Sequence, residues 1–547
     1  MKREQKNTTV KTFKIPIFLI IFLLIMTSNA IGQPKIVKAN SRIIDSLEAI
    51  LKTAESDSVK VLIWCEMAKA QRKFSFETAK ETAEKALRNA KRLDSESLIG
   101  QAKIALGEVY FSYDKMNDAL TYFSQANVIA DSLQSSDLQE VTNLLLGDYF
   151  NRQENYKKAI GYYLISKNLS NELGNNLVLG ETLNKIGTAY WQLKNNRKAF
   201  QFERDALAVF EANKAEKGIT QSYINLGRTF LSQGDFEEAM TYFDLALNTA
   251  KTLKNNTIIA ETYYNIGQAK YEQGQYDKAL ETFLNAADLA MISESPRLVA
   301  AIFSAVGLTY LRKNDGQKGL EYERKALGIF QSNNDLHGVA QSLNRLGSDY
   351  KTEVGTKQTV TNLREALKIN ENLGMTKRIG VNYMNLGYAY MQQSKFNEAL
   401  VETKKGVNIA ENIADKPLLR DANLLLSQIY ASKKQYKEAY FSHQNYKSLT
   451  DSLEEEEQSR QMDNFENRYE NEMNQQNSGQ TQKINRLQIV MIILGILVAT
   501  AFLLLGYFYK SLKYARTEVA ERDAMLEAKA VDYEELKDIL KKVVGEE

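Results

Sequence analysis

Small and apolar residues in the middle of this chain follow a register forty residues long. Glycine stands at 107, 147, 187, 227, 267, 307, 347 and 387, each time behind an apolar residue: Leu106, Leu146, Ile186, Leu226, Ile266, Val306, Leu346 and Leu386. Three residues after the glycine come Tyr110, Phe150, Tyr190, Phe230, Lys270, Tyr310, Tyr350 and Tyr390. Twelve after it come Ala119, Ala159, Ala199, Ala239, Ala279, Gly319, Thr359 and Ala399, and nineteen after it Ala126, Ser166, Ala206, Ala246, Ala286, Ala326, Ala366 and Gly406. Met67, Ala79 and Ala86 extend the register at one end, and Ser427, Tyr430, Ala439 and Tyr446 at the other, giving ten repeats over residues 60–459. Each repeat holds two apolar stripes of helical period parted by a polar turn, as at Glu272–Gln275, and so predicts two antiparallel helices. The glycine and alanines mark close helix approach, while aromatics such as Tyr110, Phe123, Phe243 and Phe283 fill the gaps. No repeat can bury its apolar faces alone, so neighbours must stack into a solenoid with one continuous core.

Two segments break this pattern. Residues 1–32 combine a basic start, twelve apolar residues from Ile15 to Met26 and small residues up to Gly32, the make-up of a secretory signal peptide. Residues 488–509 include an uncharged run from Ile489 to Tyr509, which is long enough to be expected as a single C-terminal transmembrane helix. Together they predict a single-pass protein of the bacterial inner membrane, with residues 33–487 extracytoplasmic and the C-terminus cytoplasmic. Between solenoid and membrane, residues 451–487 are expected to form a charged helical stalk; 451–480 carry nine acids and two arginines. Residues 41–59 are assigned to an N-terminal capping helix and 60–450 to the solenoid. Beyond the membrane, Leu512, Val519, Leu526, Tyr533 and Leu540 recur every seven residues, so 510–547 read as a short cytoplasmic coiled coil or, alternatively, a lone amphipathic helix.

Composition narrows the chemistry. Of 547 residues only 4 are proline, 1 is cysteine and 2 are histidine, which suits stacked helices and leaves no zinc, iron–sulfur or disulfide framework. The formal charge of +2 misleads, since the first 32 residues hold five basic groups and one acid and leave 65 basic against 67 acidic residues. No nucleic-acid footprint results. Phosphate-binding, metalloprotease and nucleophile-elbow motifs are missing, so an enzyme is not expected, and neither is a cofactor or metal. His337, in the turn NNDLHG, reads as a solvated loop residue, and His443 as a second-helix packing residue. Cys65, beside Trp64, reads as a buried or inert thiol, with an intermolecular disulfide as the alternative.

The pattern L-G-x-x-Y…A-x-x-x-F-x-x-A, as in INLGRTFLSQGDFEEAMTYFDLALNTA at 224–250, resembles the tetratricopeptide repeat (TPR). The usual repeat has about 34 residues; forty is similar to a longer-helix variant of peptide-binding and regulatory members. HEAT repeats share the length but not the small-residue register. The resemblance implies an all-α TPR superhelical solenoid whose first helices line a concave groove for a protein or peptide. It departs from the family at Thr359, which replaces an alanine, and at Glu203 and Glu323, which replace the second-helix aromatic with Phe202 and Tyr322 beside them. Looser or re-registered packing is expected there.

In peptide-binding relatives, asparagines at matching positions hold the ligand's backbone. The corresponding residues here are Asn225, Asn265 and Asn385, two before the glycine, and Asn184 and Asn344, three before it. The alternative is that they bond neighbouring helices. Arg228, Arg312 and Arg345 fall at groove-facing positions and could meet acidic groups bidentately. The whole layout resembles bacterial membrane-anchored TPR sensor proteins lacking the histidine kinase or output domain. It predicts a membrane-embedded scaffold or receptor that binds a protein or peptide ligand and relays a signal through the membrane helix to a cytoplasmic partner. A parallel homodimer through stalk and coiled coil fits the same layout. The alternative is a kinase-less remnant, or split component, of a TPR-type sensor histidine kinase.

Overall fold

The computed structural model describes residues 36–293, 295–348 and 357–478, with Thr500 and Leu504. The chain divides into a part ending at Asn467 and a second beginning at Arg468, and the solenoid belongs to the first. Among the described residues there are 21 helices. They open with Ile36–Thr53 and Asp57–Gln71, so the segment assigned to a cap at 41–59 is one helix and the start of the next.

From Phe76 to Ser332 the chain advances in steps of twenty: a helix of seventeen or eighteen residues, then a short turn, as from Glu96–Ser112 to Met116–Ser132. Each fully described turn from there onward carries one residue with positive φ. Twelve of these are not glycine, among them Asp114, Glu154 and Lys194, and four are Gly174, Gly234, Gly274 and Gly374. The amide of the next residue reaches back five positions, as Asn155 does to Phe150 and Asn195 to Tyr190, and satisfies a carbonyl the helix end would leave open. In several turns an asparagine, serine or aspartate side chain then caps the following helix, as Asn155 and Asn195 do for the amides of Lys158 and Lys198. The forty-residue register is thus two twenty-residue steps of the same geometry.

In the repeats of Gly107, Gly147, Gly187, Gly227, Gly267, Gly347 and Gly387 the decisive contact lies between that glycine of the first helix and the residue sixteen positions later on the second. A methyl group on Gly107, Gly227 or Gly267 would come within 2.5 Å of the ring of Phe123, Phe243 or Phe283. Alongside, the aromatic three after the glycine stacks on one fifteen after it: Tyr110 on Tyr122, Phe150 on Tyr162, Tyr190 on Phe202, Phe230 on Tyr242 and Tyr310 on Tyr322. Where the pair is Lys270 and Thr282, a 2.7 Å hydrogen bond replaces the stack.

The expectation of shifted packing is corrected by these contacts. Phe202 and Tyr322 occupy their own stacking positions, and Glu203 and Glu323 fill the slot against the glycine, buried like the aromatics they replace. Glu323 accepts from Ser304 Oγ and Arg345 Nε, both at 3.1 Å. Glu203 has Thr229 Oγ1 as donor at 2.8 Å and no arginine in bonding range among the described residues. Burial pushes its carboxyl up to about 8, although Thr229 and Arg228 pull the other way. Thr359 likewise keeps the buried alanine position.

The expected C-terminal transmembrane helix is corrected as well. No helix among the described residues is long and apolar enough to cross a membrane. The longest, Tyr436–Ser478, carries the run Glu454–Glu457, and the others have eighteen residues or fewer. The fold class is therefore an all-α solenoid, and the single-pass inner-membrane placement, which rested on that helix, falls with it. Apart from Thr500 and Leu504, the segment 488–509 lies outside the described residues, as do the signal peptide at 1–32 and the coiled coil at 510–547.

Two glycines separate close approach from helix propensity. Gly227→Ala should destabilise by about 1–3 kcal/mol through overpacking, whereas Gly161→Ala, with nothing within 4 Å of the new methyl, should stabilise by ~0.5–1 kcal/mol. Chemical denaturation of the two variants reads the opposite signs. Glu203 makes stability pH-dependent. Between the usual carboxyl value near 4.5 and about 8 the folded chain holds a proton that the unfolded chain releases, so stability falls as pH rises, by up to ~1.4 kcal/mol per pH unit. The advantage of Glu203→Gln over wild type in urea midpoint should widen from pH 5 to pH 8; an unchanged gap would mean an ordinary, ionised Glu203.

Candidate ligand-binding surface of the solenoid

The first helices carry every candidate residue, but the packing uses them unequally. Asn184 and Ser222 form a buried reciprocal pair between adjacent first helices, at 3.0 and 3.2 Å. Asn344 Oδ1 accepts from Asn382 Nδ2 at 3.0 Å and Asn385 Nδ2 at 2.9 Å. Arg345 is committed to Glu323 and to Ser304, the latter at 2.8 Å. These four candidates hydrogen-bond neighbouring helices. Asn225 accepts a long bond from Gln221 at 3.4 Å through its oxygen, and Asn265 donates to the Glu261 carbonyl at 2.8 Å. Arg312 is exposed and donates to Tyr271 Oη at 3.0 Å.

Arg228 differs from all of these. Its guanidinium lies over the Trp191 ring, 4.1 Å from the centroid. Among the described residues it forms no hydrogen bond and no ion pair within the usual contact range. Burial lowers its pKa, opposed by Glu203 and then Glu261. Burial also raises the Glu261 carboxyl, with Gln221 and Arg228 opposing. The Trp191 indole N–H is shielded from solvent and unbonded. Trp191 is not among the sequence candidates, although its place four after Gly187 is the signal that could have found it.

The solenoid also bends back on itself. Gln153 donates to the Leu373 carbonyl at 2.8 Å, and Arg378 meets Glu154 at 2.7 Å, across 220 and 224 residues of chain. Leu373 and Met375 join an apolar cluster with Met116, Phe123, Leu146 and Tyr149. Arg152 braces this junction by bonding Asp114 and the Phe111 carbonyl, both at 2.9 Å, with its guanidinium on the Phe111 ring. Arg297 pairs with Asp335 at 2.5 Å. His337, expected in solvent, is half-buried here; burial, then Arg378, pushes its pKa down to about 4. The junction borders a cavity of about 520 Å³ whose lining brings together first-helix residues from distant repeats, including Asn151 and Gln192 on one side and Ala301 and Gln341 on the other. First helices therefore form the inner wall.

Two further groups stand apart from this wall. His443 is exposed and lies against Tyr446, and burial pushes the Cys65 thiol up to about 12. Among the described residues no cluster of His, Cys, Asp and Glu is arranged to hold a metal ion.

Models of the tetratricopeptide repeat match residues 138–212, 218–291 and 264–334. No curated protein matches the chain. Similar solved structures include a Rap protein complexed with competence and sporulation factor, at 16% identity over 65% of this chain and 99% of that one, with a TM-score of 0.45. Another is the apo quorum sensor NprR from B. thuringiensis, at 15% identity over 64% of this chain and 97% of that one, with a TM-score of 0.40. A third is a STAND protein with a tetratricopeptide repeat sensor from Pyrococcus horikoshii, at 15% identity over 81% of this chain and 69% of that one, with a TM-score of 0.44. The matched stretch between residues 138 and 334 thus consists of tetratricopeptide repeats, and the same register of paired helices continues on either side of it.

Proposed function

We propose that the solenoid is a scaffold or receptor that binds an extended peptide or protein segment along its inner, first-helix wall. The observation behind this reading is Arg228, held half-buried over Trp191 without a hydrogen bond or ion-pair partner among the described residues. A partly dehydrated cation lacking a counter-charge is costly to the free protein. A carboxylate on the ligand would remove that cost through a bidentate, charge-assisted bond.

The neighbouring side chains support it. Asn225 engages its oxygen and leaves its amide N–H groups unbonded, whereas Asn265 engages its N–H and leaves its oxygen. Between them they present a donor and an acceptor, the pair that a peptide main chain requires. In this reading Asn225, Arg228 and Asn265 touch the ligand and Arg312 stands at the rim. Asn184, Asn344, Asn385 and Arg345 hold the wall in shape.

Selection from a displayed random peptide library against the purified full chain tests the proposal. Wild type should enrich peptides with acidic residues or a free C-terminus, and Arg228→Gln should weaken them by at least about tenfold. Asn225→Ala and Asn265→Ala should each weaken them less. Absence of binders, or binders indifferent to all three substitutions, would sink the reading.

A further inference from the structure

The junction that closes the solenoid borders a cavity of about 520 Å³, within the ~300–1,000 Å³ range usual for ligand sites. Its charged groups are already matched. Arg152 holds Asp114, Arg297 holds Asp335, Arg378 holds Glu154, and Asp148 is held by Lys185. His337 is neutral at pH 7 because burial and the nearby arginines oppose its protonation. A charged ligand would have to break these pairs to gain anything from them.

The carboxamides are left over. Asn151, Gln192 and Gln341 line the cavity, and none makes a side-chain hydrogen bond among the described residues. Asn151 Oδ1 is cut off from solvent and still unbonded, which carries a desolvation cost until a partner meets the group. The three stand on separate first helices. Asn151 lies in the last turn of Ser136–Arg152, Gln192 ends Asn176–Gln192, and Gln341 lies within Leu336–Ser348. Phe111, Ala301 and Phe330 add apolar surface to the lining. Each carboxamide offers one acceptor and two donors, which complements the alternating N–H and C=O of an extended main chain and asks for no charge.

We propose that this cavity is a subsite for a short extended stretch of peptide main chain, held by Asn151, Gln192 and Gln341. The inference rests on the peptide-binding reading above and adds to it the residues that grip the backbone, in a place the asparagine register does not reach.

Peptides selected on the full chain are the probe. Asn151→Ala and Gln341→Ala should each weaken them about tenfold or more, the scale of one lost buried hydrogen bond to a ligand. Gln192 is exposed, so Gln192→Ala tests the same wall without disturbing the packing and should weaken them in the same direction. Peptides that respond to Arg228→Gln but to none of the three carboxamide substitutions would overturn this inference and leave the groove reading standing. Failure to select any peptide would overturn both.

Discussion

In repeat after repeat, a second-helix side chain lies against the first helix at a point where even a methyl group would collide. That contact, between the glycine and the residue sixteen positions on, sets the distance between the paired helices. The buried alanines at twelve and nineteen and the stacked aromatics at three and fifteen follow from it, since they share the same narrow seam. The slot itself is chemically tolerant: phenylalanine, tyrosine, leucine, threonine and glutamate all occupy it. What it demands is a partner for whatever is put there. Glu323 finds one in Arg345, while Glu203 has only a threonine hydroxyl, and burial pushes its carboxyl up to about 8.

Regular packing has a long-range consequence. A fixed helix length and the same left-handed turn residue at each step repeat one rotation many times over. The chain then meets itself across 220 residues, and Gln153 and Glu154 of one turn become half of a second interface. The wall that results is polar, and its groups divide into those that packing has satisfied and those it has not. Arg228 with Trp191, and the carboxamides of Asn151, Gln192 and Gln341, belong to the second class. They matter because unsatisfied groups on an otherwise well-paired wall are where a ligand gains most.

The asparagine register illustrates why position in a repeat is an incomplete guide to function. Asn184 and Asn265 fall one register position apart, yet one bonds a serine on the adjacent first helix and the other bonds its own helix. The difference lies in the neighbouring repeat, where Ser222 is within reach of Asn184. Arg228 and Arg345 diverge for the same reason: a carboxylate meets Arg345, and an indole meets Arg228.

Periodicity alone is enough for the all-α solenoid, its forty-residue repeat and the small-residue seam. These depend on contacts within a repeat and between neighbours, and every repeat restates them. It does not reveal the twenty-residue half-step, since twelve of the left-handed turn positions carry aspartate, glutamate, lysine and other side chains in place of glycine. Apolar run length also suggests a membrane helix that no described helix supports. The closure through Gln153, Glu154, Leu373 and Arg378, and the cavity beside it, are decided only in three dimensions. They arise from small rotations summed over many repeats, and no local pattern records that sum.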